Sequence, residues 1–401
     1  MGEKPLRRTR TDLILTAAFT AAAIVGVTTV WVTAPARDAH LSTASETFVA
    51  GPGIEVVPQS LTQAWTVTDT APGNHKPLTA GGVVIAADGP TVSGYTPGGD
   101  LLWSYEREDD LCALMSGFES AVAVYRTGVG CGDVVEIRAA TGEYGATRSA
   151  IASETVAPIS SNDRVGILGS ERVELWRSDL VRTVEYGDVE AKQEAAQQPH
   201  EDCSVTSAMT RKELLAVVDD CADGYHLRLQ NTTPEDSREP EISRDIAIDG
   251  VNARLVAVGQ EAAAVYVENP EPMIVSYDSQ GEQTSSRSVD GVDFPAPPFQ
   301  PATADLPHHM SWFDGGHLTL FTPSRLGVAT RFDDALGTGI AVGGRLLYPV
   351  AGGIAVADWD SGEVLRTLAV DRGNYSGPVS LALAGGTIVE KRGGTLVGLT
   401  Q

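Results

Sequence analysis

Positive charge is scarce in this 401-residue chain, with 29 Lys and Arg against 53 Asp and Glu, a formal net charge of −24. An acidic surface of that size repels nucleic acid and anionic lipid headgroups, which excludes a phosphate-backbone partner. Aromatic residues make up only 6% of the chain and His only seven positions. No HExxH, P-loop, Gly-x-Ser-x-Gly or CxxC pattern occurs, so zincin, nucleotide-hydrolase, serine-hydrolase and zinc-ribbon chemistry lack their motifs. The reading is of a protein with no catalytic residue, no bound metal and no cofactor.

Long apolar runs are confined to one place. Leu13 to Ala34 carries no charge and has Trp31 near one end, long enough to span a bilayer and furnished with an interfacial anchor. Lys4, Arg7, Arg8 and Arg10 precede it. The positive-inside rule therefore places a basic stub, 1–11, in the cytoplasm, a transmembrane helix at 12–34 and everything later outside. Ala34-Pro35-Ala36 has the small-x-small form of a cleavage site, so a removed signal peptide is the alternative. No Cys lies near the end of the run, which excludes a bacterial lipid anchor.

What the chain has in quantity is turns. Gly99-Asp100, Gly142-Glu143, Gly281-Glu282 and Gly362-Glu363 stand 43, 139 and 81 residues apart, close to one, three and two copies of a single repeat. Each lies in a polar turn between alternating apolar segments, the pattern of a hairpin. A period near 40 to 46 residues built from short strands is that of a β-propeller. Eight units follow from Leu78 onward, centred on 78–105, 112–150, 157–187, 203–248, 252–290, 308–333, 335–371 and 378–400; seven blades are the alternative. The last unit supplies three strands, and Gln63-Ala64-Trp65-Thr66-Val67 resembles the outer strand around Trp103. The N-terminal strand is thus expected to complete the last blade and close the ring. The expected organisation is an all-β propeller over 61–401 on a stalk over 35–60.

The four cysteines form two similar pairs, Cys112 with Cys131 and Cys203 with Cys221. In a blade whose strands run down, up, down and up from the axis outward, both members of each pair fall on the same face, here called the top. Two intrablade disulfides follow, permitted in an exported compartment. The Gly-acid hairpins fall on the opposite, bottom face. A stalk entering the closing strand from below would turn the bottom towards the membrane.

The hairpin ending Gly99-Asp100-Leu101-Leu102-Trp103 resembles the repeats of the quinoprotein (PQQ-like) β-propellers. The whole chain, with its anchor, cysteine pairs and the stretch Trp176 to Thr183, is similar to membrane-anchored actinobacterial envelope proteins. The superfamily includes dehydrogenases and non-catalytic assembly scaffolds, so the resemblance implies the fold and leaves the activity open. Its enzymes carry a disulfide between adjacent Cys, a Trp platform and a calcium site, and no such constellation can be placed here.

The connection 290–307 carries Phe294 and Phe299 in a Pro-rich setting and is followed by His308 and His309. These four are the candidate interaction residues, with inward-tucked Phe rings as the structural alternative. Adjacent His side chains in a strand point apart, which argues against a shared metal. Asp219 to Gly224 lacks the alternating ligands of a calcium loop and reads as a solvated turn. Trp65, Trp103, Trp176 and Trp359 read as packing between blades. The functional expectation is an extracytoplasmic scaffold for envelope or membrane proteins, held by its own helix. A glycan- or small-ligand-binding propeller is the alternative, with a quinoprotein-like oxidoreductase behind it.

Overall fold

A computed structural model describes residues 8–33, 37–189 and 192–401. The first element is the helix Arg10–Val32. Thr9 and Asp12 cap it reciprocally: Thr9 N donates to Asp12 Oδ2 at 2.8 Å, and Asp12 N donates to Thr9 Oγ1 at 3.2 Å, which sets its start at Arg10, ahead of the apolar run that begins at Leu13. Twenty-three residues rise about 34 Å, enough to cross a membrane, and the whole helix is exposed.

The remaining described residues form eight antiparallel sheets arranged as an eight-bladed propeller. Blade 1 is 78–106, blade 2 is 111–149, blade 3 is 157–187 and blade 4 is 204–248. Blade 5 is 251–288, blade 6 is 302–332, blade 7 is 340–369 and blade 8 is 379–400. In each blade the first strand lines the axis, and the innermost strands of neighbouring blades lie side by side. Apolar residues on both surfaces of the inner strands, such as Val83–Ala87 and Ala121–Tyr125, are fully buried, because each sheet is sandwiched between two others. Outer strands alternate, as in Leu101–Glu106 and Ile242–Ile248.

Ring closure follows the expectation. Thr62–Thr68 pairs antiparallel with Thr395–Thr400, from Thr62 opposite Thr400 to Thr68 opposite Thr395, and so supplies the fourth strand of blade 8. Blade 6 begins earlier than expected, at Ala302–Asp305 rather than at residue 308. That strand reads Ala-Thr-Ala-Asp and carries no apolar signature: it is four residues long and only Ala304 in it is buried.

The repeat is held by a joint between blades. Gly99 and Gly142 close the outer hairpins of blades 1 and 2 with φ of 90° and 69°, open to glycine and strained for other residues. Trp65, from blade 8, lies against Gly99, and its Nε1 donates to Pro97 O at 2.8 Å; a Cβ on Gly99 would sit 2.5 Å from its ring. Trp103, from blade 1, does the same against Gly142, with Nε1 donating to Ala139 O at 2.8 Å. At the hairpins of Gly281 and Gly362 the corresponding neighbours are Ile246 and Thr330.

The segment expected as a free stalk is bound to the ring. His40–Ser42 adds a fifth strand to blade 1, with His40 opposite Glu106 and Ser42 opposite Ser104. The chain then crosses the bottom face: Ala44 and Phe48 donate backbone hydrogen bonds to Thr141 O and Ala140 O at 2.9 and 2.8 Å. Ile54, Val57 and Leu61 pack on blades 7 and 8, and Arg366 donates to Pro58 O at 2.7 Å. The reason is apolar content: Leu41, Phe48, Ile54 and Val57 each gain cover that solvent would deny. The closing strand is entered from below, with Thr62 opposite Thr400, but the chain has already met the ring before it, so this entry no longer turns the bottom towards the membrane. The first ring-bound residue, His40, lies at the top end of the rim of blade 1.

Candidate functional site

Both cysteine pairs are bonded. Cys112 and Cys131 have Cα atoms 5.9 Å apart, and Cys203 and Cys221 4.5 Å. Each joins the start of its blade's innermost strand to the turn between the second and third strands on the top face. Each is flanked by a buried Arg. Arg107 binds Asp133 and Asp109 and lies 4.7 Å from the Tyr125 ring. Arg228 binds Asp219, which also accepts from the Tyr186 hydroxyl. Asp219 is therefore fully buried rather than part of a solvated turn. Burial pushes its carboxyl above the usual range, against the pull of Tyr186 and Arg228.

The two Phe rings pack inward to different degrees. Phe299 is 6% exposed and pairs with Ser207 through a parallel bridge. Phe294 is half-buried, with ring centroids 5.0 Å from Phe299, 4.9 Å from Tyr266 and 6.2 Å from Trp312. The Pro-rich connection lays these rings over blades 5 and 6, where they lose water contact and gain edge-to-face packing. His308 and His309 lie elsewhere, in the bottom-face turn between the first two strands of blade 6. Both rings meet Trp359, at 5.5 and 6.2 Å, and burial lowers the His309 pKa. Among the described residues, no group of three or more His, Cys, Asp or Glu side chains is placed to hold a metal.

The structure brings together a set that motif reading missed. An axial cavity of about 260 Å³ is lined by the inner strands of blades 1 to 6. At its top-face end two hydrogen bonds span the axis, Lys76 Nζ donating to Thr303 O at 3.1 Å and His75 Nε2 meeting Gln300 O at 2.8 Å. At its bottom-face end stand Arg211, bound to Asp305 at 2.7 Å, and Lys212, bound to Asp163 at 3.4 Å. Asn162, Lys212, Gln260 and Asp305 are exposed there and form the mouth. Lys76 is half-buried and has no carboxylate within salt-bridge distance among the described residues; desolvation lowers its pKa, with Asp305 opposing. A sequence signal existed, since Arg211-Lys212 ends an innermost strand in a base-poor chain. Lys76 had none, because it reaches the axis only through the fold.

The quinone cofactor that the resemblance of the repeats implies does not fit this cavity. Among the described residues no aromatic side chain lines it and neither disulfide lies on its wall. No known family profile and no curated protein sequence matches the chain. Among solved structures, BamB from Moraxella catarrhalis is similar with a TM-score of 0.53 at 13% identity, covering 85% of this chain and 100% of that one. The computationally designed protein Ika8 is similar with a TM-score of 0.54 at 13% identity, with the same coverage. At such identity the likenesses describe fold. The chain is an eight-bladed β-propeller.

Proposed function

We propose that the chain is a non-catalytic, membrane-tethered propeller that acts as an extracytoplasmic interaction scaffold for envelope or membrane proteins. The observation that carries this reading is the join between helix and ring. Only seven residues separate Val32 from His40, a reach of about 25–30 Å when fully extended. A rigid, closed ring held that close to a bilayer meets partners that are themselves in or at the membrane. The two disulfides support an exported compartment, and they take up all four cysteines, leaving no thiol nucleophile. The N-terminal stub then lies in the cytoplasm. The top face is the surface we assign to docking, because the strap from Ala44 to Pro58 already occupies part of the bottom.

The test is cross-linking in native membranes followed by affinity capture, comparing the full chain with a form that has twenty Gly/Ser residues inserted after Val32. A scaffold for membrane-level partners captures a defined protein with the short tether and loses most of it with the long one. Equal capture from both would remove the join as the basis of the reading.

A further inference from the structure

The axial cavity has the features of a ligand site that the scaffold role does not use. It is a pit, spanned at its top-face end by the Lys76–Thr303 and His75–Gln300 hydrogen bonds and open among exposed residues at the bottom. Its charge is unlike that of the molecule around it. Arg211 and Lys212 are neutralised by Asp305 and Asp163, whereas the Lys76 ammonium has one neutral acceptor and, among the described residues, no salt-bridge partner, Asp305 acting on it only from a distance. An ammonium offers three donors, and two of these have no acceptor among the described residues. One end of the Gln300 carboxamide, its Oε1, is also buried without a hydrogen-bond partner. Buried polar groups left open in this way are costly unless something fills them.

We propose that this pit binds a small hydroxylated carboxylate of the sugar-acid class, entering from the bottom face, with its carboxylate on Lys76 and a hydroxyl on the Gln300 carboxamide. One uncompensated positive charge matches a monoanion. A phosphate dianion would bring a second negative charge towards Asp305 and Asp163 with nothing to balance it. A simple carboxylate such as acetate would leave Gln300 unfilled, and a neutral sugar would leave Lys76 unpaired. A hydroxyl suits Gln300 in either amide orientation, since it both donates and accepts. Ser160 and Thr210 add hydroxyls to a wall otherwise made by Leu78, Ile159, Met209 and Met310. The volume is at the small end of known ligand sites, which limits the ligand to about one monosaccharide unit.

The test uses the full chain in detergent and titration calorimetry with gluconate and glucuronate as probes, against glucose, acetate and inorganic phosphate. At least one sugar acid binds with a Kd in the millimolar range or tighter, and glucose, acetate and phosphate each bind about tenfold or more weakly. Lys76→Met abolishes binding without lowering the Tm of the unliganded protein, because the hydrogen bond lost to Thr303 O is offset by removal of a desolvated cation that lacks a salt-bridge partner. A second measurement needs no variant: the sugar acid protects Lys76 from reductive methylation, read by peptide mass spectrometry, and leaves Lys212 reactive. Equal binding of phosphate, no sugar-acid binding up to about 10 mM, or an unprotected Lys76 would overturn the proposal. None of these outcomes touches partner capture at the top face, so this proposal and the scaffold reading fail separately.

Discussion

The two faces of the ring are made from the same repeat and differ in how they are braced. Charge does not separate them: on the bottom Arg177 binds Asp179 at 2.8 Å and Arg238 binds Asp236 at 2.9 Å, while exposed Asp100, Glu119, Glu282 and Asp360 make no ion pair among the described residues. On the top Arg126 binds Glu154 at 2.7 Å, while exposed Glu108, Asp110, Glu171, Asp202, Asp220 and Asp249 make no ion pair among the described residues. Rigidity does separate them. The bottom is organised by ring-on-glycine joints and by the strap, the top by two disulfides and two buried Arg side chains. The lesson is that one repeat can be braced in two ways, by side-chain packing on the bottom and by covalent bonds on the top, while the net charge of −24 is carried on both faces.

The contrast can be broken most forcefully at the joint. Trp103→Ala removes a fully buried ring from the interface of blades 1 and 2 and should lower unfolding stability by about 3–5 kcal/mol, read as a fall in urea midpoint. Thr330→Ala, at the weaker joint of blades 6 and 7, should stay within about 1 kcal/mol. On the top face, Cys112→Ser should cost about 3 kcal/mol under oxidising conditions, and added reductant should bring the parent down to the variant at this blade. A Trp103→Ala effect smaller than that of Cys112→Ser would reverse the division of labour between faces. Phe48→Ala, in the strap, should cost about 1 kcal/mol and raise hydrogen exchange from Ala44 to Pro58, with the blades unchanged.

A pH prediction sharpens the same point with a smaller effect. Tyr105 is 2% exposed, and burial pushes its pKa up to about 12; Tyr125, Tyr186 and Tyr348 are raised by burial as well. A pKa higher in the folded state than in the unfolded one gives stability that is complete below the unfolded value near 10 and lost as pH rises towards 12. The unfolding midpoint should therefore hold to about pH 10 and fall above it, with the 295 nm absorbance of these tyrosines appearing only on unfolding. Early ionisation in the folded protein would show those rings to be wetter than described.

Much of the fold was legible because its signals are local. The Gly-acid hairpins, the cysteine pairs and the strand around Trp65 each announce a turn, a staple or an edge from neighbouring residues alone. Blade 6 was misplaced by six residues because a four-residue strand of Ala-Thr-Ala-Asp has no apolar pattern to read. The strap reads as a stalk because its apolar residues are spaced irregularly, Leu41 and Phe48 meeting blades 1 and 2 and Ile54 and Val57 meeting blades 7 and 8. Phe294 and Phe299 showed that a Pro-rich aromatic connection can be a lid on its own core, which no spacing distinguishes from a docking loop. The axial site was illegible for a related reason: Lys76, Gln300 and Arg211 are separated by many blades in sequence and meet only when the ring closes.

The most direct test of the account is residue-specific photo-cross-linking in native membranes, with the reactive side chain placed at Glu108, Asp202 or Asp249 on the top and at Asp236, Asp278 or Asp360 on the bottom. The account predicts adducts to one membrane or envelope protein from the top positions and none from the bottom. Adducts from the bottom positions with silence from the top would contradict it.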